Sequence, residues 1–209
     1  MENTETTADI KSLSENKIQI FLKLYKSLKR GTHSACSQVP QKWLAENKLS
    51  MKLTRVGFSS GQLHHGKEQK FKDELESVGF LVKTEIPSSH GGITYKCFGK
   101  GSMLFPLRNK DNEIINFCSI SIKNGKTEYM NEYGIYPEYP KKTAQKLFLA
   151  QTVLETATIL ESETLKENEA VMSLFDGQIK QQHIDAIKSI TELKEIIIVG
   201  NITIKNNLL

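Results

Sequence analysis

Glu155 and Asp176 are the acids with the best claim to chemistry, because each stands just beyond a short apolar run, Leu147-Phe148-Leu149 in one case and Ala170 to Phe175 in the other. Hard divalent cations are held by oxygen anions, so such a pair could form a two-acid metal site for phosphoryl transfer. The plainer reading of Asp176-Gly177 after a strand is a turn. A second pair, His64-His65, follows the small residues Gly57, Ser59, Ser60 and Gly61. Small residues let backbone amides approach an anion, which invites a metal or phosphate role. On a strand, however, neighbours point to opposite faces and would share no ion, so a structural turn is the favoured reading. Six cations spread along the front of the chain, Lys52, Arg55, Lys67, Lys100, Arg108 and Lys110, are candidates for contact with a phosphate backbone. Lys26, Lys29 and Arg30 cluster as well, though a solvated helix end explains them more simply.

The elements that must position these residues are clearest in the last third. Lys146 to Leu149 reads as a buried strand, Gln151 to Glu161 as a helix with a stripe at Val153, Leu154, Ala157 and Leu160, and Ala170 to Phe175 as a second strand. Ile179 to Leu193 reads as a second helix and Glu195 to Gly200, nearly all β-branched, as a third strand. Such alternation predicts a parallel sheet with any site at the carboxyl ends of its strands, and an edge strand over Ile202 to Lys205. The front differs. Ser14 to Leu28 has a helical stripe that Gly31 should stop, Gln41 to Asn47 a short helix around Trp43, and Phe71 to Val78 a third. Phe80 to Val82 and Thr94 to Phe98 flank a loop, Pro87 to Gly92, expected to be mobile. Met103 to Arg108, Glu113 to Ile122 and Thr127 to Met130 alternate around turns at Asn109 to Asn112 and Asn124-Gly125, the pattern of antiparallel hairpins. The expected class is therefore α/β: an α+β front half, residues 16–143, then a parallel β-α-β-α-β half, residues 144–209, behind a frayed tail, residues 1–15.

Composition is that of an ordinary globular chain: 209 residues, 38% hydrophobic and 25% charged. No apolar segment approaches the roughly 20 residues needed to span a bilayer, and Met1 to Glu15 lacks the basic and apolar regions of a secretory signal, so a cytoplasmic protein without membrane contact is expected. Cys36, Cys97 and Cys118 are odd in number and far apart, which supports neither a disulfide framework nor a zinc finger. The formal charge of +4 is uneven: residues 1–143 carry 22 Lys/Arg against 15 Asp/Glu, residues 144–209 carry 6 against 9. A basic front suggests attraction to phosphate backbones, with a merely Lys-rich surface as the alternative.

Several stretches together resemble DnaG-type DNA primases, and especially the TOPRIM-domain primase-like proteins of bacterial mobile elements. Gly57-Phe58-Ser59-Ser60-Gly61-Gln62-Leu63-His64-His65 is similar to a Gly-Tyr-Asn-Ser-Gly-Gln-Phe-His-His run in that group. Phe105-Pro106-Leu107-Arg108 resembles the family's Phe-Pro-Ile-Arg strand, and Tyr133-Gly134-Ile135-Tyr136-Pro137 its Gly-Leu-Tyr-Pro linker. Leu147-Phe148-Leu149-Ala150-Gln151, with Glu155 four positions on, matches the first TOPRIM strand. The resemblance implies that the family's metal-binding Glu falls on Gln151 and its Asp-x-Asp on Asn201 and Thr203. The Arg of the returning strand falls on Ile120, a Lys on Glu128, and the zinc-binding module has no counterpart in the cysteines. Fold-level residues persist while the charged ones of polynucleotide synthesis are replaced by neutral or opposite ones.

Three readings follow. The first is a primase-like scaffold without catalysis that binds single-stranded DNA or RNA in replication or transfer, with no cofactor and with a helicase as a possible partner. The second is an active primase with a rearranged Mg²⁺ or Mn²⁺ site at Glu155 and Asp176. The third is a folded remnant without a ligand. Arg108 and the basic front favour the first over the third, and the lost acids count against the second.

Overall fold

The computed structural model describes residues 7–33, 38–87 and 92–200. Cys36, the tip of the Pro87 to Gly92 loop, Asn201, Thr203 and the strand expected over Ile202 to Lys205 lie outside the described residues.

The front begins with α1 (Thr7–His33), α2 (Gln38–Glu46) and α3 (Met51–Thr54). Of the stripe expected in α1 (Ile18, Phe21, Leu22, Tyr25 and Leu28), Phe21, Tyr25 and Leu28 are buried together with Ile20 and Leu24, while Ile18 and Leu22 are half-buried, so the buried face is turned slightly from the one expected. The helix starts inside the stretch expected to fray and runs through Gly31 rather than stopping there. A side chain at Gly31 would lie 3.0 Å from the Phe58 carbonyl, so this glycine serves close approach, not termination. In α2, Pro40 sits in the first turn, where its missing N–H is no loss, and Trp43 and Leu44 are buried. The single-turn α3 has no periodic signature in the sequence. It exists because Ser50 caps it, accepting from the Leu53 N–H at 3.3 Å, while Arg55 closes it in the left-handed region at φ 53°.

Next come β1 (Gly57–Ser59), α4 (Gln69–Ser77), β2 (Leu81–Thr84), β3 (Thr94–Cys97), β4 (Ser102–Arg108), β5 (Ile114–Ser121) and β6 (Thr127–Tyr129). β1, β4, β5 and β6 make an antiparallel sheet in that order, and β2 pairs with β3 in a separate hairpin. β1 pairs only with Ser102 to Leu104, so Pro106 lies where no outer neighbour needs its absent N–H. Alternation along the strands separates two cores. Leu104, Ile114 and Phe117 pack with the α1 stripe, Phe80 and Leu81, whereas Met103, Phe105, Leu107, Cys118 and Ile120 pack with Trp43 and Leu44.

The last third is β7 (Lys146–Ala150), α5 (Val153–Glu161), β8 (Glu169–Ser173), α6 (Gln181–Lys188) and β9 (Glu195–Val199). Its strands are parallel in the order β8-β7-β9, with Leu149 opposite Met172 on one side and Ile198 on the other. α6 is shorter than the Ile179 to Leu193 expected. Ser189 caps it, and Thr191 N–H is already bonded to the Lys142 carbonyl at 2.9 Å. α6 covers one sheet face, placing Ala186 and Ile190 on Leu147, Leu149 and Met172. On the other, Val153 and Ala157 of α5 enter the front core beside Trp43, Met103 and Phe105. The two halves are therefore joined by packing. A polar clasp adds to it: Glu161 Oε2 accepts from the Ser50 N–H at 2.8 Å and the Ser50 hydroxyl at 3.0 Å.

Candidate functional site

The carboxyl ends of the parallel strands gather the first set of predicted residues. Gln151 closes β7; its N–H donates to the Val199 carbonyl at 3.2 Å, and its carbonyl accepts from Gly177 N–H at 2.9 Å. Glu155 is a capping residue. Its Oε2 accepts from the Thr152 N–H at 3.0 Å while Thr152 Oγ1 accepts from the Glu155 N–H at 3.2 Å, a reciprocal box that starts α5. Gly200 packs against both side chains: a Cβ there would be 3.0 Å from Gln151 Oε1 and 3.2 Å from Glu155 Oε1. Asp176 sits after β8 at φ 49° and accepts from the Tyr129 hydroxyl at 3.5 Å. Partial burial holds its carboxyl above the usual carboxylate range, a shift that the Tyr129 hydrogen bond partly offsets.

This donor set does not fit the paired divalent ions of phosphoryl transfer. Gln151 contributes a neutral amide, Glu155 already holds a backbone N–H, and Asp176 has a raised proton affinity. Among the described residues no group of three or more His, Cys, Asp or Glu could hold a metal ion. Carboxylates in number are what a hard cation needs to offset its desolvation.

A different feature stands on the front half. The sheet face that is apolar at Leu104 and Phe117 turns to hydroxyls at its end, where Ser102, Ser119 and Ser121 alternate onto the same side. The β2–β3 hairpin and the Gly61 to His65 turn stand away from that floor and leave an open cleft of about 870 Å³. Lys96, Lys100 and Lys126 line it together with Gln62, Tyr95 and Asn124. Its one carboxylate among the described residues, Glu128, is paired with Lys126 at 2.6 Å. Lys100 is presented by the turn Gly99-Lys100-Gly101, whose glycines have φ 60° and 71°. Its stem lies directly over Gly61, a contact that leaves no room for a side chain at that position.

Of the six predicted cations, only Lys100 lines this cleft. Arg55 and Arg108 are neighbours elsewhere: Arg55 pairs with Glu138 at 2.9 Å, and Arg108 donates to the Asn112 carbonyl while its buried Nε has no partner among the described residues. Burial and the nearby Arg55 charge push the Arg108 guanidinium below its ordinary value. Lys67 lines a separate depression of about 400 Å³ with Ser27 and Phe71. Lys52 on α3 and Lys110 on the β4–β5 turn are exposed and outside the cleft. Tyr95, Lys96 and Lys126 were not singled out from sequence. The available signal was the serine alternation in β5 opposite a glycine-flanked lysine.

His64 and His65 lie on a turn, as favoured from the sequence, and there they do not diverge as strand neighbours would: the ring centroids are 4.5 Å apart, edge to face. His64 is buried and also meets the Tyr95 ring at 5.7 Å, whereas His65 is exposed.

No family model matches the sequence, and no curated protein matches it. Solved structures do. A DnaG primase catalytic domain bound to single-stranded DNA superposes with a TM-score of 0.71 at 13% identity over 90% of this chain and 61% of that one. The Escherichia coli primase catalytic core gives 0.63 at 14% identity, with 87% and 61% covered. The zinc-binding and RNA polymerase domains of the Aquifex aeolicus primase give 0.70 at 11% identity, with 95% and 50% covered. The chain thus has the fold of the DnaG-type primase catalytic core and spans between about half and three-fifths of these structures.

Proposed function

We propose that this chain, built on the primase catalytic fold, holds single-stranded nucleic acid in the cleft beside β5 and β6 and does not itself polymerise. The observation that carries the reading is the lining of that cleft: three lysines, one of them ion-paired, over a floor of serine hydroxyls with an aromatic ring on the wall. Ammonium groups along a groove track a phosphate backbone, and an aromatic face stacks on any base, so binding of this kind is tolerant of sequence. The absent carboxylates support the second half of the proposal, since a loose phosphoryl transition state is stabilised mainly by divalent cations, which the neutral Gln151 amide holds poorly. Such a chain fits replication or transfer of a mobile element, where another polypeptide makes the primer.

Fluorescence anisotropy with an oligothymidylate tests the binding. Affinity should fall with salt at about −0.7 per phosphate contact, giving a logarithmic slope of roughly −2 for three lysines. Lys100→Gln should reduce the slope by about 0.7. No affinity at low salt overturns the binding role, and templated primers made with Mg²⁺ or Mn²⁺ overturn the absence of synthesis.

A further inference from the structure

Beside Tyr95 lies a second cavity, of about 320 Å³, lined by His64, His65, Gly66, Lys72, Ile93, Thr94 and Tyr95. His64, His65 and Tyr95 line the main cleft as well, so the two spaces share a wall. Among the described residues the lining contains an ammonium group, two imidazoles and a phenol, and no carboxylate. Lys72 Nζ, on α4, lies 5.9 Å from the Tyr95 ring centroid. The nearby acid of α4, Asp73, is occupied by Gln69 Nε2 at 2.7 Å, and Gln69 also reaches the Tyr95 hydroxyl at 3.0 Å. His64 is 7% exposed, and its Nδ1 is buried without a hydrogen-bond partner among the described residues. Buried polar atoms are nearly always paired, so an orphan on the wall of a cationic cavity points to a ligand. A metal ion is the wrong ligand here, because Lys72 repels it and no third donor of the usual kind is present among the described residues.

We infer that this cavity is a subsite for the terminal 5′-phosphate of a strand held in the cleft, bound by Lys72, His64 and His65. The inference rests on the cleft reading and adds a ligand to it. A phosphomonoester approaches two negative charges near neutral pH, with a second pKa of about 6, whereas an internal phosphodiester carries one. The imidazole N–H groups of His64 and His65 can donate to the oxygens of that dianion beside the Lys72 ammonium. In the free protein the His64 imidazole is held below its ordinary value by burial, then by the charges of His65 and Lys72, and a bound phosphate reverses the sign of that local field.

The test is anisotropy with oligothymidylates labelled at the 3′ end and carrying either a 5′-phosphate or a 5′-hydroxyl. At about pH 7 the phosphorylated strand should bind about tenfold tighter. Lys72→Gln should bring the ratio close to one, while Lys100→Gln weakens both strands alike. Equal affinity of wild type for the two strands overturns the subsite and leaves the cleft standing. If neither strand binds, the cleft reading fails and inorganic phosphate decides the subsite: saturable shifts of the His64 and His65 ring resonances, lost in Lys72→Gln, support it, and unmoved resonances overturn it.

Discussion

His183 shows how one buried side chain ties the protein to pH. It is fully buried on α6, and its Nδ1 accepts the Lys180 N–H at 2.8 Å, so the ring must be neutral to hold the start of the helix. Nε2 is buried without a partner, and the ring meets Phe175 edge-on at 5.4 Å. Burial, with the Lys180 ammonium adding to it, lowers the imidazole from 6.5 to about 4. The unfolded chain therefore binds a proton that the folded chain refuses between those two values, and stability falls as pH drops through that window. The full shift is worth about 3 kcal/mol of stability, present above pH 6.5 and lost by about pH 4. Urea unfolding of wild type and His183→Gln at about pH 7 and pH 4.5 checks it: the variant should lose roughly 2 kcal/mol less over the interval. An equal loss in both would mean that His183 is not the titrating group. None of this was legible in the sequence, where His183 is one polar residue on a helix; only the packing of Phe175 and the backbone of Lys180 reveal what it does.

At the scale of elements, strands were easier to read than the spaces between them. β4 and β5 were legible because Phe105 and Leu107 alternate with residues that pack oppositely, and the parallel strands because β-branched runs are distinctive. α3 was not, since one turn has no period and its stability comes from Ser50 and from Glu161, 111 positions away. The His64-His65 turn was legible as a turn, but the approach of its two rings was not: its backbone bonds, His65 N–H to the Gln62 carbonyl at 2.9 Å and Lys67 N–H to the His64 carbonyl at 3.3 Å, are local choices that an apolar pattern does not record. Gly57 tests how closely these elements fit. A Cβ there would lie 2.7 Å from Leu28 Cβ and 3.0 Å from its carbonyl carbon, so α1 rests on the β1 backbone with no gap. Gly57→Ala should cost about 1–3 kcal/mol through overpacking, a loss measurable as a lowered urea midpoint. Gly125→Ala, with open space around its Cβ at φ 69°, should cost only the backbone strain of the left-handed region, about 1 kcal/mol. Equal effects at both positions would mean that α1 yields freely.

For the whole molecule, the boundary read near residue 143 marks a change of strand pattern and not a division of the core. Charge and periodicity both switch there, and a sequence offers no means of seeing that Val153 and Ala157 pack with Trp43, Met103 and Phe105. Burial of that shared surface, with the Glu161 to Ser50 clasp, should make the two halves unfold together, because neither face of α5 can be released without exposing apolar area. Trp43, the sole tryptophan and 8% exposed, reports the front half and its contact with α5, whereas far-ultraviolet dichroism reports both halves. The two transitions in urea should coincide. Val153→Ala, a fully buried site on the parallel half, should lower the Trp43 midpoint by the equivalent of roughly 2 kcal/mol and shift the dichroism equally. If the substitution moved the dichroism and left the Trp43 signal in place, the halves would be independent units. The cleft would then have to be explained by the front half alone, without the parallel sheet that holds β6 through the stacking of Phe175 on Tyr129 at 4.2 Å.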